Sequence, residues 1–137
     1  MENTQKPKPL IAASADRVFW DGVRAHKLMI SRCRACGRYS HPRSECLCGS
    51  SKLDWVEAAG TGNLYTYIVY HRPFHPAFIP EIPYNVAWIE LDEKVLILSN
   101  VIGCENADIR IGMRVRVVFE DDGHGNVLPK FEPVPDR

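Results

Sequence analysis

The feature that most constrains the fold is a short segment, residues 33–49, which reads CRACGRYSHPRSECLCG and holds four of the chain's five cysteines. The first pair has the C-x-x-C spacing of a metal knuckle, and the second pair reads C-x-C. Glycine follows the second cysteine of each pair, and glycine tolerates the left-handed backbone that wraps a knuckle round an ion. Zinc in structural sites takes four such ligands in a tetrahedron. We therefore predict a structural zinc ion held by Cys33, Cys36, Cys46 and Cys48.

Four protein ligands would leave zinc no open position for water, so the site is predicted to stabilise the fold rather than to catalyse a reaction. Free buried thiols or a disulfide are the alternatives. The close clustering of four thiols within 16 residues argues against free thiols, and a reducing compartment argues against a disulfide. His41, which lies between the two pairs, could replace Cys46 as a ligand. The lone Cys104 is predicted to be a small buried hydrophobic residue.

The chain is predicted to be cytoplasmic, because its N-terminus lacks the apolar run of a secretory signal. No apolar run approaches the roughly 20 residues that a membrane-spanning helix needs. The formal net charge is zero, but residues 22–44 carry six basic residues and no acidic one, whereas residues 81–137 carry eleven acidic and six basic residues. Such a basic stretch suits nucleic acid, the phosphates of a cofactor or an acidic protein surface, and it could also be a solvated face.

The rest of the chain predicts a mainly β fold that begins with a helix. Apolar residues at helical spacing follow Ser14, and Trp20 falls outside their stripe, which indicates a second contact surface or packing elsewhere on the chain. From Gly60 onward the pattern is that of short strands, and five strands with one long connection fit a small OB-fold barrel. The predicted strands cover residues 64–70, 86–91, 95–102, 114–120 and 127–131. The predicted units are a tail and N-terminal helix over 1–27, a zinc ribbon over 28–55 and the barrel over 56–137.

The segment HRPFHPAFIPEIP, residues 71–83, contains four prolines and is predicted to be a long ordered loop without regular helix or strand. Phe74, Phe78 and Ile79 are costly to leave in water, and apolar loop tips of this kind often mark protein interfaces. His71 or His75 could serve as a general base, but no serine or cysteine nucleophile is obviously placed beside them. We expect these histidines to shape a partner surface.

Several short motifs, taken in order, resemble those of a known family: the zinc-ribbon and OB-fold acyl-CoA-associated proteins, formerly a domain of unknown function. The resemblance spans residues 14–133, and its motifs are specific in combination rather than singly. The family's second knuckle is usually C-x-x-C, so the C-x-C pair is a departure. The matching segments are FWDG at 19–22, the cysteine segment with its following serine at 33–50, GTGNLYTY at 60–67, HRPF at 71–74, PY at 83–84, ELDE at 90–93 and IG at 111–112.

The resemblance implies a rubredoxin-like zinc ribbon and an OB-fold barrel in an accessory subunit without catalytic residues. Members of the family associate with thiolase-like enzymes, including thiolases and the lipid-transfer-type aldolases of steroid side-chain breakdown, and they bind or channel acyl-CoA. For this chain it implies a hetero-oligomer without membrane contact, in which the loop residues Phe74, Phe78 and Ile79 meet the partner. The residues expected to bind acyl-CoA, or an acidic face of the partner, are Trp20, Arg24, Arg38 and Arg43.

Two other functions stay open from the sequence. OB-fold barrels can bind single-stranded nucleic acid by stacking bases on aromatic rings beside a basic groove, and Tyr65, Tyr67 and Arg72 would serve that role. The neutral net charge and the apolar proline-rich loop weigh against nucleic acid. The remaining possibility is a small hydrolase that uses His71.

Overall fold

The computed structural model describes residues 14–123 and 125–135. The predicted N-terminal tail, residues 1–13, lies outside the described residues. Within the described part of the chain, no helix is both long and apolar enough to cross a membrane.

The first element is helix α1, Ser14–Arg24. Ala15, Phe19 and Val23 recur every four residues along it and are buried, so one stripe of the helix faces the core. Trp20 stands beside this stripe with its ring half-buried, and it meets the Phe19 ring edge-on, with ring centroids 5.0 Å apart. Trp20 therefore packs on its own chain while part of its ring stays accessible.

A small sheet of three antiparallel strands carries the cysteine segment. Its strands are β1, Met29–Cys33, β2, Tyr39–Ser40, and β3, Leu53–Glu57. β1 lies in the middle and pairs with both of the others. The hydroxyl of the buried Ser31 accepts the backbone N–H of Arg43 at 3.2 Å, which ties the segment after β2 back to β1.

The second sheet has five antiparallel strands: β4, Thr61–Tyr70, β5, Tyr84–Leu91, β6, Leu96–Ser99, β7, Arg114–Asp121, and β8, Val127–Pro133. Their spatial order is β6-β5-β4-β7-β8. The segment that follows β6 meets β8 at one parallel bridge between Val101 and Phe131, so the sheet curls into an OB-type half-barrel. The predicted fold class, a helix and a zinc ribbon followed by a five-stranded OB fold, is confirmed.

A buried asparagine holds the segment that follows β6. The side-chain amide of Asn85, on β5, donates to the Val101 carbonyl at 2.8 Å, and its oxygen accepts the Val101 N–H at 2.7 Å. The same amide donates to the side-chain oxygen of Asn106 at 3.0 Å. Between β6 and β8, which do not pair as neighbouring strands, the Ser99 hydroxyl donates to the Pro129 carbonyl at 2.7 Å. The ladder of β6 therefore ends earlier than predicted, because a side chain takes over the pairing of the backbone.

The proline-rich segment contains regular structure that the sequence did not predict. A 3-10 helix of six residues covers Pro76–Glu81. Pro76 stands at its start, where the missing N–H costs no hydrogen bond, and the Nδ1 atom of His75 accepts the N–H of Ala77 at 3.0 Å. The prediction of a loop without helix is therefore wrong for these six residues.

One hydrophobic core joins the helix, the small sheet and the half-barrel. The predicted boundary between residues 28–55 and 56–137 thus runs through a continuous core, and the division into these units stays a prediction. The largest contributors from the N-terminal side are Phe19, Val23, Leu28 and Ile30, and those from the half-barrel are Leu64, Ile89, Leu91, Ile109, Val115 and Phe131.

Candidate metal centre and ligand site

Both cysteine pairs lie on tight turns whose glycines have a left-handed backbone. Gly37 has a φ of 76° and Gly49 a φ of 94°, and a Cβ at either position would lie in open space. Glycine is therefore favoured by the backbone conformation and not by crowding. The Gly37 N–H donates to the carbonyl of Cys33, four residues back, whereas the Gly49 N–H donates to that of Cys46, three residues back; each bond measures 2.9 Å. The C-x-C knuckle is thus tighter by one residue.

The two turns bring four sulfur atoms into one cluster, which we call the four-cysteine cluster. The Sγ atoms of Cys33, Cys36, Cys46 and Cys48 all lie within 4.8 Å of one another. The distance is 3.6 Å between Cys33 and Cys48 and also between Cys36 and Cys46. A tetrahedron with zinc–sulfur bonds of about 2.3 Å has sulfur–sulfur edges of about 3.8 Å, so spacing and donor chemistry both fit zinc. The shortened second knuckle still delivers both of its sulfurs.

The thiol pKa values reflect how closely the sulfurs are packed. The backbone N–H of Cys36 is the main cause that lowers the pKa of Cys33 to about 6. The backbone N–H of Ser50 favours the Cys48 thiolate, but the sulfur contacts and burial outweigh it and raise the pKa of Cys48 to about 11. Four thiolates at this spacing repel one another, and a divalent cation relieves that repulsion. The ion would tie the two turns together and supply no reactive position.

His41 does not lie at the four-cysteine cluster, which contains Cys46, so the alternative in which His41 replaces Cys46 as a ligand is wrong. Its ring packs on Phe19, with centroids 4.7 Å apart, and this loss of solvent lowers the pKa of His41. Cys104 is only half-buried and packs against the edge of the core, where desolvation raises its pKa.

The predicted basic residues separate into two places. Arg38 and Arg43 line a cavity of about 480 Å³ between the knuckles and the β5–β6 hairpin, together with Tyr39 and Lys94. We call this cavity the basic groove. Arg24 is exposed at the end of α1, where its Nη1 atom lies 3.4 Å from Oδ1 of Asp21, and it does not line the groove.

Trp20 lines a second cavity, of about 470 Å³, between α1 and the gap that separates β6 from β8. We call this cavity the aromatic cleft. Apolar side chains make up most of its wall, and its polar lining residues are Asp16, His41, Ser99, Asn100 and Lys130. Its main lining side chains are Phe19, Trp20, His41, Trp88, Leu98 and Leu128.

The aromatic cleft and the basic groove share His41 and Leu96 as lining residues, so the two cavities adjoin. Together they form a trough that is cationic at one end and apolar at the other. Of the four predicted ligand-binding residues, the structure brings Trp20, Arg38 and Arg43 to this trough and leaves Arg24 outside.

The predicted partner-binding residues differ in exposure. Phe74 is 75% exposed and Ile79 is 51% exposed. Phe78 is half-buried, and its ring lies 5.9 Å from that of Tyr84, so it holds the 3-10 helix against β5 as well as facing outward. Phe74 and Ile79 are therefore the more accessible part of the predicted docking loop.

The residues proposed for the rival functions are poorly arranged for them. Tyr65 is 57% exposed, but Tyr67 packs against the core and offers little ring surface to a base. The Nδ1 atom of His75 is already engaged as the cap of the 3-10 helix. His71 is exposed, and the described residues place no serine or cysteine within hydrogen-bonding distance of it.

Two residues of the trough were not predicted from the sequence. Lys94 occupies the β5–β6 turn with a φ of 67°, and only the folded hairpin brings it to the basic groove. Trp88 lies between the buried residues Ala87 and Ile89 on β5, so its side chain is on the opposite face of the strand. That alternation is a signal, present in the sequence, that Trp88 faces away from the core.

Two family models match the chain in series. The ChsH2 rubredoxin-like zinc ribbon domain matches residues 20–54, and the ChsH2 C-terminal OB-fold domain matches residues 55–120. A structure described as the "Ltp2-ChsH2(DUF35) aldolase" is similar over 92% of this chain and 98% of that chain, with a TM-score of 0.82 and 40% identity.

Two relatives place these matches in context. A "Probable enoyl-CoA hydratase alpha subunit" of Thermomonospora curvata is 42% identical over 96% of this chain, but this chain spans only 43% of that protein. A "DUF35 domain-containing scaffold protein" of Methanocaldococcus jannaschii is 31% identical over 84% of this chain and 88% of its own length. The chain therefore belongs to the DUF35 family, and it joins a ChsH2-type zinc ribbon to a ChsH2-type OB-fold domain.

Proposed function

We propose that this chain is a non-catalytic accessory subunit that binds a thiolase-like enzyme and helps to hold or channel its acyl-CoA substrate. The partner would be a thiolase or a lipid-transfer-type aldolase of steroid side-chain breakdown. The observation that carries the proposal is the trough, because one continuous surface offers cations at one end and aromatic rings at the other.

Acyl-CoA has the same polarity along its length. Its phosphates would meet Arg38, Arg43 and Lys94 in the basic groove, where guanidinium groups suit phosphate oxygens. Its acyl group would meet Trp20 and Trp88 in the aromatic cleft. Each cavity lies within the range of about 300–1,000 Å³ that is usual for sites of small molecules and cofactors.

The absence of a catalytic role is part of the same proposal. Within the described residues we find no pairing of a nucleophile with a histidine base, which covalent catalysis would need. The four-cysteine cluster, filled by zinc, would leave no coordination position for a substrate. The M. jannaschii relative is named a scaffold protein, and the similar solved structure is described as an Ltp2-ChsH2(DUF35) aldolase. Both names support a subunit that serves a partner enzyme.

The test is binding of octanoyl-CoA to the purified chain, alone and in complex with a co-expressed lipid-transfer-type aldolase. Arg38→Glu should weaken binding roughly tenfold or more, because it removes a charged hydrogen-bond donor and adds repulsion. Arg24→Glu, the matched control, makes the same charge change outside the trough and should leave affinity unchanged. Equal losses for the two variants, or no binding to either preparation, would contradict the proposed ligand role.

A further inference from the structure

Strand β4 is longer than its neighbour on one side. It pairs with β5 along almost its whole length, as far as the pair Tyr70–Tyr84. On the other side it pairs with β7 only over Thr61–Asn63, and the last contact there joins Leu64 to Gly112 and Met113. Residues 65–70 therefore have a free backbone edge within the described part of the chain.

An antiparallel strand directs the N–H and C=O groups of alternate residues to its two edges, so residues 65–70 present unpaired donors and acceptors. Natural proteins usually protect such edges with charged side chains, proline or covering segments. Here β4 contains no charged residue and no proline from Thr61 to Tyr70. A bulge between Leu64 and Thr66 interrupts the register with β5 only at the start of the free edge.

The side chains beside this edge are apolar and accessible. Tyr65 is 57% exposed and Ile68 is 55% exposed. The strand runs directly into the proline-rich loop, and the ring of Tyr70 meets that of Phe74 edge-on, with centroids 5.4 Å apart. The free edge and the exposed Phe74 thus form one continuous surface.

We propose that residues 65–70 of β4 accept an extended, uncharged strand of the partner enzyme, which lengthens the half-barrel by β-strand addition. A row of unpaired backbone groups selects an extended strand as its occupant, and the apolar side chains beside it select a segment without charge. The continuity with Phe74 assigns the strand to the same partner as the docking loop. This inference rests on the proposed function, because it names how the same partner is held.

The test compares amide hydrogen exchange at single-residue resolution in the chain alone and in its complex with the co-expressed aldolase. Alternate amides within residues 65–70 should exchange at least about tenfold more slowly in the complex, because strand pairing protects every second N–H on that edge. Amides of β3, which also lies at a sheet edge, should be unchanged. Uniform or absent slowing over residues 65–70 would overturn the inference while leaving the accessory role intact.

A pair of variants at one residue separates backbone pairing from side-chain contact. Leu91 donates to the Val95 carbonyl on the β6 side, so strand alternation turns Val86 and Trp88 towards β4 and leaves the N–H of Val69 on the free edge. Val69→Pro therefore removes a donor of the free edge and no donor of the β4–β5 ladder. Val69→Pro should weaken the complex roughly tenfold relative to Val69→Ala, which keeps the donor. Equal affinities of the two variants would overturn the inference.

Two further outcomes are decisive. Alternate protection already present in the isolated chain, with a dimeric mass, would assign the edge to a second copy and overturn the inference. Failure to form any complex with thiolase-like enzymes would instead remove the proposed function, and the inference would fall with it.

Discussion

Cys48 is the residue on which the shortened knuckle depends. Cys48→Ser should lower the zinc content from about one ion per chain to well below that, because a hydroxyl is a much weaker zinc ligand than a thiolate. The measurement is elemental analysis of protein purified under reducing conditions without chelators. Cys104→Ser, the control, changes a cysteine outside the four-cysteine cluster and should keep the zinc. A full zinc content in Cys48→Ser would mean that the fourth ligand is another group.

Asp92 carries the clearest pH dependence among the carboxylates. The Arg114 guanidinium donates a hydrogen bond to each carboxylate oxygen of Asp92, at 2.6 and 2.7 Å. These bonds, together with one from the Thr61 hydroxyl, lower the pKa of Asp92 to about 2. The unfolded value is about 3.9, so the stabilisation is present above about pH 4 and is lost as the pH falls towards 2.

Asp92→Asn should therefore lower the free energy of unfolding at pH 7 by a small amount, since both side chains of the pair are partly exposed to screening solvent. The difference from the wild type should shrink between about pH 4 and pH 2. Denaturant unfolding of both proteins across that range measures it. A difference that stays constant down to pH 2 would show that the ion pair is not its source.

The roles of individual residues could be predicted where they follow from residues that are close in the sequence. The cysteine ligands and the left-handed glycines follow from local spacing, because one turn sets both. Lys94 and Asn85 could not be found in this way. The first reaches the basic groove, and the second reaches Val101, only through strand pairing that the sequence does not display.

At the scale of elements, the docking loop is predicted to carry much of the affinity for the partner enzyme. Phe74→Asp should weaken the complex roughly tenfold to a hundredfold, because burying an apolar side chain is worth about 1.5–3 kcal/mol and a charge would enter a dry interface. Size exclusion and calorimetry with the co-expressed aldolase measure the change. A substitution at Phe74 is a better test than one at Phe78, because Phe78 also packs on Tyr84 and its loss would disturb the chain's own packing.

The matched control for the loop is Leu47→Asp. Leu47 is 71% exposed on the second knuckle, away from the loop, and because it lines the basic groove the comparison is made without acyl-CoA. We expect Leu47→Asp to leave the partner complex unchanged. If Phe74→Asp and Leu47→Asp behave alike, the proline-rich loop is not the docking surface.

The strands of the half-barrel were predictable because β-branched, aromatic and apolar residues form short runs between turns, and the helix because its apolar stripe recurs every four residues. The 3-10 helix at Pro76–Glu81 was missed because proline usually breaks helices, and the cap by His75 becomes visible only in three dimensions. The free edge of β4 could not be predicted either, because the sequence indicates the length of a strand but not how many of its residues pair with a neighbouring strand.

For the whole molecule, the shared core predicts that the half-barrel does not fold alone. A fragment of residues 56–137 lacks the buried side chains of Phe19, Val23, Leu28 and Ile30. Each is worth about 1.5–3 kcal/mol of burial, and the sum is comparable with the roughly 5–15 kcal/mol by which a domain is stable. The fragment should show no cooperative thermal transition by circular dichroism, whereas the full chain should show one. A sharp transition in the fragment would instead support an independent barrel over residues 56–137.

Few contacts join β6 and β8 at the seam between them, and this would let the width of the aromatic cleft vary. One backbone bridge, at Val101 and Phe131, and a few side-chain contacts such as Ser99 to Pro129 join the two edges. The cleft lies directly over this seam. Opening the seam by a small amount would break a few contacts and no continuous ladder, so the width of the cavity would adapt to its occupant at small cost. If the aromatic cleft holds the acyl group as proposed, such a wall would discriminate acyl chains by polarity more than by thickness, and one subunit would then accept substrates of several sizes.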